Sequence, residues 1–243
     1  MPSPSSNNDD GGKKKHVRGR IEGKNPEDKS PSHVLETYRR FLHLSGGHLC
    51  LDFVNTIKPR VGKNPHDMVT TYADLVLWSH YVGLLSKEKV NRLLEEAQSH
   101  QKEAEAVFVK AMNLREATYS VFSAHIHHAS LPPCDLETLQ KMFVEAMNHG
   151  HLEETGHGIG WQWSSEERNL EQLLWPLSRS VVELLTSSEV TRVKECPHWE
   201  GGCGWLFLDR SKNGSRRWCS DEECGSVVRM RRLYARKRAS KNT

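Results

Sequence analysis

No apolar run in the 243-residue chain approaches the roughly 18 residues of a membrane span, which excludes a spanning topology and a membrane partner. The stretch Met1 to Ser32 lacks the apolar centre of a secretory signal, so the expected location is the cytoplasm. There is no Walker loop, no G-x-G-x-x-G, no H-E-x-x-H and no nucleophile elbow, and the chain is expected not to be an enzyme. Internal repeats are missing too, which removes solenoids and propellers. Cysteine is scarce, at six residues, yet four of the six fall between positions 196 and 224. Acidic residues stop at Glu223: from Gly225 onward there are seven basic side chains and no acid.

Net charge is only +3, and it is unevenly placed. From Cys196 to Thr243 there are eleven Lys/Arg against five Asp/Glu, leaving the preceding body mildly acidic. Such a basic end is expected to meet a polyanion, the alternative being a solvated tail. At the other end, residues 1–32 are rich in Ser, Asn, Gly, Lys and Pro with almost no large apolar residue, and bury too little surface to offset ordering entropy; they are expected to be disordered.

Between these ends the apolar spacing is mostly helical. Leu75, Val76, Trp78, Val82 and Leu85 recur at core spacing after Tyr72. Ser86 precedes a Val90, Leu93, Leu94, Ala97 stripe as a predicted N-cap. Ala104 to His125 continues the pattern, Pro132-Pro133 breaks it, and a helix over Glu166 to Leu185 is expected to be interrupted or kinked at Pro176. Leu49 to Ile57 fits a helix or a strand equally well, and the piece after Gly158 reads as a short strand. The fold class is therefore α+β: a mostly helical domain over 33–190 with a few short strands, then a small treble-clef-like module over 191–243.

Four thiols in a chain expected to stay in a reducing compartment point to a metal, since disulfides do not persist there. Cys196, Cys203, Cys219 and Cys224 are the predicted ligands of one zinc ion, structural because four thiolates leave no open position. The alternatives are an iron–sulfur cluster, or His198 replacing one cysteine. Trp205 to Leu208 alternates as a strand, Lys212-Asn213-Gly214 reads as a turn, and Arg216 to Cys219 is expected to return antiparallel. Ser220-Asp221-Glu222-Glu223 is a capping box that places Cys224 in the first turn of a final helix.

That helix would carry Arg229, Arg231, Arg232, Arg236, Lys237 and Arg238, with Val227, Met230 and Tyr234 docked on the zinc core. The tip of the expected hairpin adds Arg210, Lys212, Arg216 and Arg217. A rigid cationic helix suits duplex DNA, with phosphate contacts the expected mode. In the body, Asp52 and Asn55 stand i, i+3 in an apolar stretch and could line a pocket for an unknown small-molecule effector, or satisfy backbone groups at a turn. The histidines 125, 127 and 128 read as a solvated helix end.

Cys203-Gly204-Trp205-Leu206-Phe207-Leu208-Asp209-Arg210-Ser211, then Asn213-Gly214-Ser215-Arg216-Arg217-Trp218-Cys219-Ser220 and Cys224-Gly225, resemble the CGNR zinc finger. Upstream, Gly46 to Thr56 and Leu114-Arg115-Glu116-Ala117 resemble the ABATE domain that commonly precedes that finger in bacterial proteins. The resemblance implies a stress-linked transcription regulator. Where the family reads Cys-Gly-Asn-Arg, this chain has Cys224-Gly225-Ser226-Val227, and its first ligand loop is longer. The competing expectation is a protein- or RNA-interaction module with the finger as a docking surface.

Overall fold

The computed structural model describes residues 30–60, 64–156, 158–164, 168–197 and 203–240. Most of the predicted disordered tail, and His198, therefore lie outside the described residues. The first helix, α1 (Pro31–Phe41), starts inside the stretch assigned to the tail, with Pro31 in its first turn where a missing N–H costs nothing. After it come α2 (Leu49–Val54), the two-residue strands β1 (Ile57–Lys58) and β2 (His66–Asp67), α3 (Tyr72–Tyr81), α4 (Lys87–Ser99), α5 (Gln101–Ile126) and α6 (Pro133–Met147). An antiparallel hairpin follows, β3 (Gly150–Thr155) with β4 (Gly158–Trp163), then α7 (Leu174–Thr186) and a second hairpin, β5 (Val193–Glu195) with β6 (Leu206–Leu208). A π-turn at Asp221–Gly225 leads into α8 (Ser226–Ala239). The class is α+β.

Helix boundaries follow local chemistry. The Ser86 hydroxyl accepts from Lys89 N at 3.3 Å and starts α4; Thr71 does the same for Asp74 at 3.1 Å and starts α3. The helix expected over Glu166 to Leu185 is interrupted, upstream of Pro176 and not at it. A 3₁₀ turn at Leu170–Leu173 precedes α7, so Pro176 falls in the first turn of a new helix, where its ring displaces no intrahelical bond. The segment that periodicity left ambiguous is helical: α2 buries Cys50, Leu51, Phe53 and Val54 against the long α5 and α7.

One apolar core runs from Tyr38 of α1 through Leu75 and Trp78 of α3, Leu114 and Phe122 of α5 and Leu177 of α7. It does not stop at the junction with the cysteine-rich module. Strand β6 has two faces: Leu206 and Leu208 enter this core, whereas Trp205 and Phe207 enter a second cluster with Cys196, Cys203 and Cys219. Fully burying each of those two leucines contributes about 1.5–3 kcal/mol, which welds the small module to the helical body.

The expected antiparallel return of Arg216 to Cys219 is not formed. β6 pairs with β5 instead, and the turn at 211–214, with Gly214 at φ 58°, leads into irregular chain. Nor does α8 dock on the zinc core: Val227, Met230 and Tyr234 are half exposed, because Trp205, Phe207 and Trp218 already fill the space around the thiols.

Candidate metal centre and nucleic-acid interface

The β5–β6 hairpin places two of the predicted ligands. Cys196 follows β5 and donates its N–H to Trp205 O at 2.8 Å, and Cys203 precedes β6. The other two come from the chain beyond the turn. Cys219 is fully buried, and Cys224 sits in the π-turn that Ser220 caps by accepting from Glu223 N at 3.2 Å. The four Sγ atoms all lie within 4.8 Å of one another, with Cys203–Cys219 at 3.5 Å and Cys219–Cys224 at 3.6 Å. A tetrahedral thiolate site with bonds of about 2.3 Å has ligand–ligand edges of about 3.8 Å, so the cluster fits zinc. All four ligands are sulfur, and three are buried. The residues hold one structural zinc ion with no position left for water or substrate.

Around the thiols the backbone is pinned by the helical body. Arg60 N donates to Cys203 O at 2.8 Å, and Trp205 Nε1 donates to Ile57 O at 2.8 Å. The Lys58 ammonium lies 4.8 Å above the Trp205 ring and pairs with Glu223, which also meets His43 at 3.1 Å. The π-turn bearing Cys224 is thus clamped from the body.

Two acidic and polar residues have roles that their sequence positions did not announce. Asp209, fully buried, accepts from Lys194 Nζ at 2.6 Å, Ser211 N at 2.9 Å, Ser211 Oγ at 2.6 Å and Arg216 N at 3.0 Å. Burial alone would raise its pKa, but the Lys194 ammonium and the Ser211 donors outweigh it and hold the carboxyl well below the usual range. Asn55 is 1% exposed, and both halves of its amide are spent on one residue: Nδ2 donates to Leu206 O at 2.8 Å and Leu206 N donates to Oδ1 at 3.0 Å.

Of the two readings of Asp52 and Asn55, that contact favours backbone satisfaction over an effector pocket: Asn55 finishes the open edge of β6. Asp52 accepts from Gly46 N at 2.8 Å, and a side chain on Gly46 would lie 2.8 Å from Asp52 N, so only glycine permits the approach. Burial pushes the Asp52 carboxyl up to about 6, against the Gly46 hydrogen bond and the Arg216 charge. A groove of about 600 Å³ in the helical body lies elsewhere, among Tyr72, Leu94, Ala97, Ala104, Glu105 and Phe108. Cys50 is buried against Ser180 and His48, and burial pushes its thiol up to about 12.

The basic residues divide by what they touch. Arg216 is removed from the candidate contact set, because its guanidinium bonds to the carbonyls of Ser45 (2.9 Å), Trp218 (3.0 Å), Leu208 (3.4 Å) and Cys219 and stacks 4.6 Å from the Phe207 ring. Arg229 reaches back to Asp221 O at 2.9 Å, and Arg210 stands 3.8 Å from Glu189. Arg231 lines a cavity beside Lys58, Trp218 and Cys224. Lys212, Arg217, Arg232, Arg236, Lys237 and Arg238 are exposed and meet no acid among the described residues. His127, read as part of a solvated helix end, has a partner: its Nε2 lies 3.0 Å from Glu195, which also takes Tyr119 and Ser123.

Comparison with known families gives two matches. Residues 47–188 match ABATE, described as "Putative stress-induced transcription regulator", and residues 192–237 match the CGNR zinc finger. No curated protein matches the chain. Among the described residues, no helix is long and apolar enough to cross a membrane.

Proposed function

Because the chain belongs to the ABATE family of stress-linked transcription regulators and carries a CGNR zinc finger behind that domain, we propose that it acts by laying α8 on duplex DNA. The observation that carries this reading is the set of exposed cations, Arg232, Arg236, Lys237 and Arg238, that meet no acid among the described residues, on a helix rooted at the zinc ligand Cys224. A helix about 10–12 Å across enters a major groove about 12 Å wide. Lys212 and Arg217, on the loop before Cys219, supply further phosphate contacts. The zinc ion sets the rigid base, and Asp209, Lys194 and Arg216 fix the loop against it; no catalytic step is assigned. Effector sensing belongs to the helical body and moves from Asp52 and Asn55 to the groove at Tyr72 and Phe108.

The half-exposed Val227, Met230, Leu233 and Tyr234 favour a second reading, in which α8 docks on a protein. Titrating the zinc-loaded protein with a random duplex and with single-stranded RNA across a salt series separates the readings. DNA binding whose log affinity falls steeply with log salt supports the proposal, and absence of duplex binding at low salt refutes it.

A further inference from the structure

The β3–β4 hairpin stands apart from the rest of the fold in how little covers it. In its register Leu152 faces Trp161, and Glu154 faces Ile159. Gly150, Leu152 and Glu154 thus share one face with Ile159, Trp161 and Trp163. The base of that face sits on α7, where Trp163 packs 6.2 Å from Trp175 and the Arg179 guanidinium lies 5.2 Å from the Trp161 ring. Toward the tip the support ends. Leu152 is 63% exposed, Ile159 78% and Trp161 37%.

The two edges differ. β3 carries Glu153 and Glu154, charged residues of the kind that guard an edge against pairing. β4 reads Gly158-Ile159-Gly160-Trp161-Gln162-Trp163, with no charge and no proline. Among the described residues its sheet ends at two strands, so alternate N–H and C=O groups of β4 face away from β3 with no strand to meet them. A two-stranded sheet is marginal in water, and a third or fourth strand is what normally makes such a unit stable.

We propose that β4 pairs antiparallel with β4 of a second copy of this chain, forming a four-stranded sheet across a two-fold axis at Gly160. An antiparallel strand paired with itself is self-complementary, as a two-fold interface requires. With Gly160 on the axis, Ile159 of each copy lies directly opposite Trp161 of the other. That gives two aromatic–β-branched pairs on the exposed apolar face. No like charges meet in this strand pairing. The exposed apolar residues of α8 do not offer this, since Arg231, Lys237 and Arg238 flank Val227, Met230 and Tyr234 and would bring like charges together. The inference is independent of DNA binding.

Sedimentation velocity on the full zinc-loaded chain at tens of micromolar tests it. The expected species is a dimer that persists in high salt. Ile159→Lys should weaken it by on the order of tenfold or more, leaving far-UV dichroism and thermal midpoint near wild type, because so exposed a residue contributes little to the monomer. Ile159→Val and Tyr234→Glu should both remain dimeric. A monomeric wild type, a dimeric Ile159→Lys, or dissociation by Tyr234→Glu alone would overturn the proposal.

Discussion

Replacing Asn55 with leucine, close in shape but without the amide, should separate the zinc module from the helical body. The β5–β6 ladder joins Cys196 to Trp205 and Arg192 to Asp209, so Leu206 turns its N–H and C=O away from β5. Asn55 meets both groups, at 3.0 and 2.8 Å, in a site 1% exposed. Leucine leaves a buried donor and a buried acceptor without partners, each costing about 1–3 kcal/mol, so the expected loss is about 4 kcal/mol. For a chain of this size each kcal/mol moves the midpoint by about 2–4 °C, giving a drop on the order of 10 °C. Asn55→Asp should be at least as damaging, since it keeps an acceptor for Leu206 N but sets a buried carboxylate against Leu206 O. Denaturant unfolding at saturating zinc is the assay, with the exposed Asn91→Ala as control, expected within about 0.5 kcal/mol of wild type. A loss under 1 kcal/mol for Asn55→Leu would refute the argument that this amide closes the β6 edge.

Intact-mass analysis after brief alkylation of the native zinc-loaded protein should show one adduct, at exposed Cys134, with the other five cysteines reacting only after chelation and unfolding; rapid labelling of Cys50 would contradict its burial and raised pKa. Asp52, with its pKa raised to about 6, favours the protonated folded state, so stability is complete below about pH 4 and declines as pH rises toward 6. Asp52→Asn should remove that decline, which amounts to at most about 3 kcal/mol by pH 7, and an unchanged stability–pH profile would count against the burial argument. Arg216→Ala strands the carbonyls of Ser45, Trp218 and Cys219 and should hasten zinc loss to a chelator, whereas Arg217→Ala should not; equal effects would mean that Arg216 does not brace the site.

The metal centre was legible because ligand chemistry is local: four thiols at spacings a hairpin and a helix start can bring together need no knowledge of the rest of the fold. Most helices were legible for the same reason, with Ser86 and Ser220 acting as caps where their positions predicted. What escaped depends on partners far along the chain. Asn55 and Leu206 are 151 residues apart, and nothing near Asn55 announces that its amide completes a strand. Arg216 and Arg217 are adjacent and chemically identical, yet one is spent on carbonyls and the other points to solvent. β3 went unread because Gly-His-Leu-Glu-Glu-Thr has no buried alternation to reveal it. The expected return strand at Arg216 to Cys219 failed because β5 takes one edge of β6 and Asn55 with Gly46 O takes the other.

The most direct test of the account is the salt dependence of duplex binding by Arg232→Ala/Arg236→Ala beside wild type. Both side chains are exposed and without an acidic partner among the described residues, and neither touches the zinc core, so zinc content and dichroism should not change. Each phosphate contact contributes about 0.9 to the slope of log affinity against log salt, so the double variant should bind more weakly with a slope flatter by up to about 1.8. Unchanged affinity and slope would contradict the claim that α8 is the element this regulator lays on DNA.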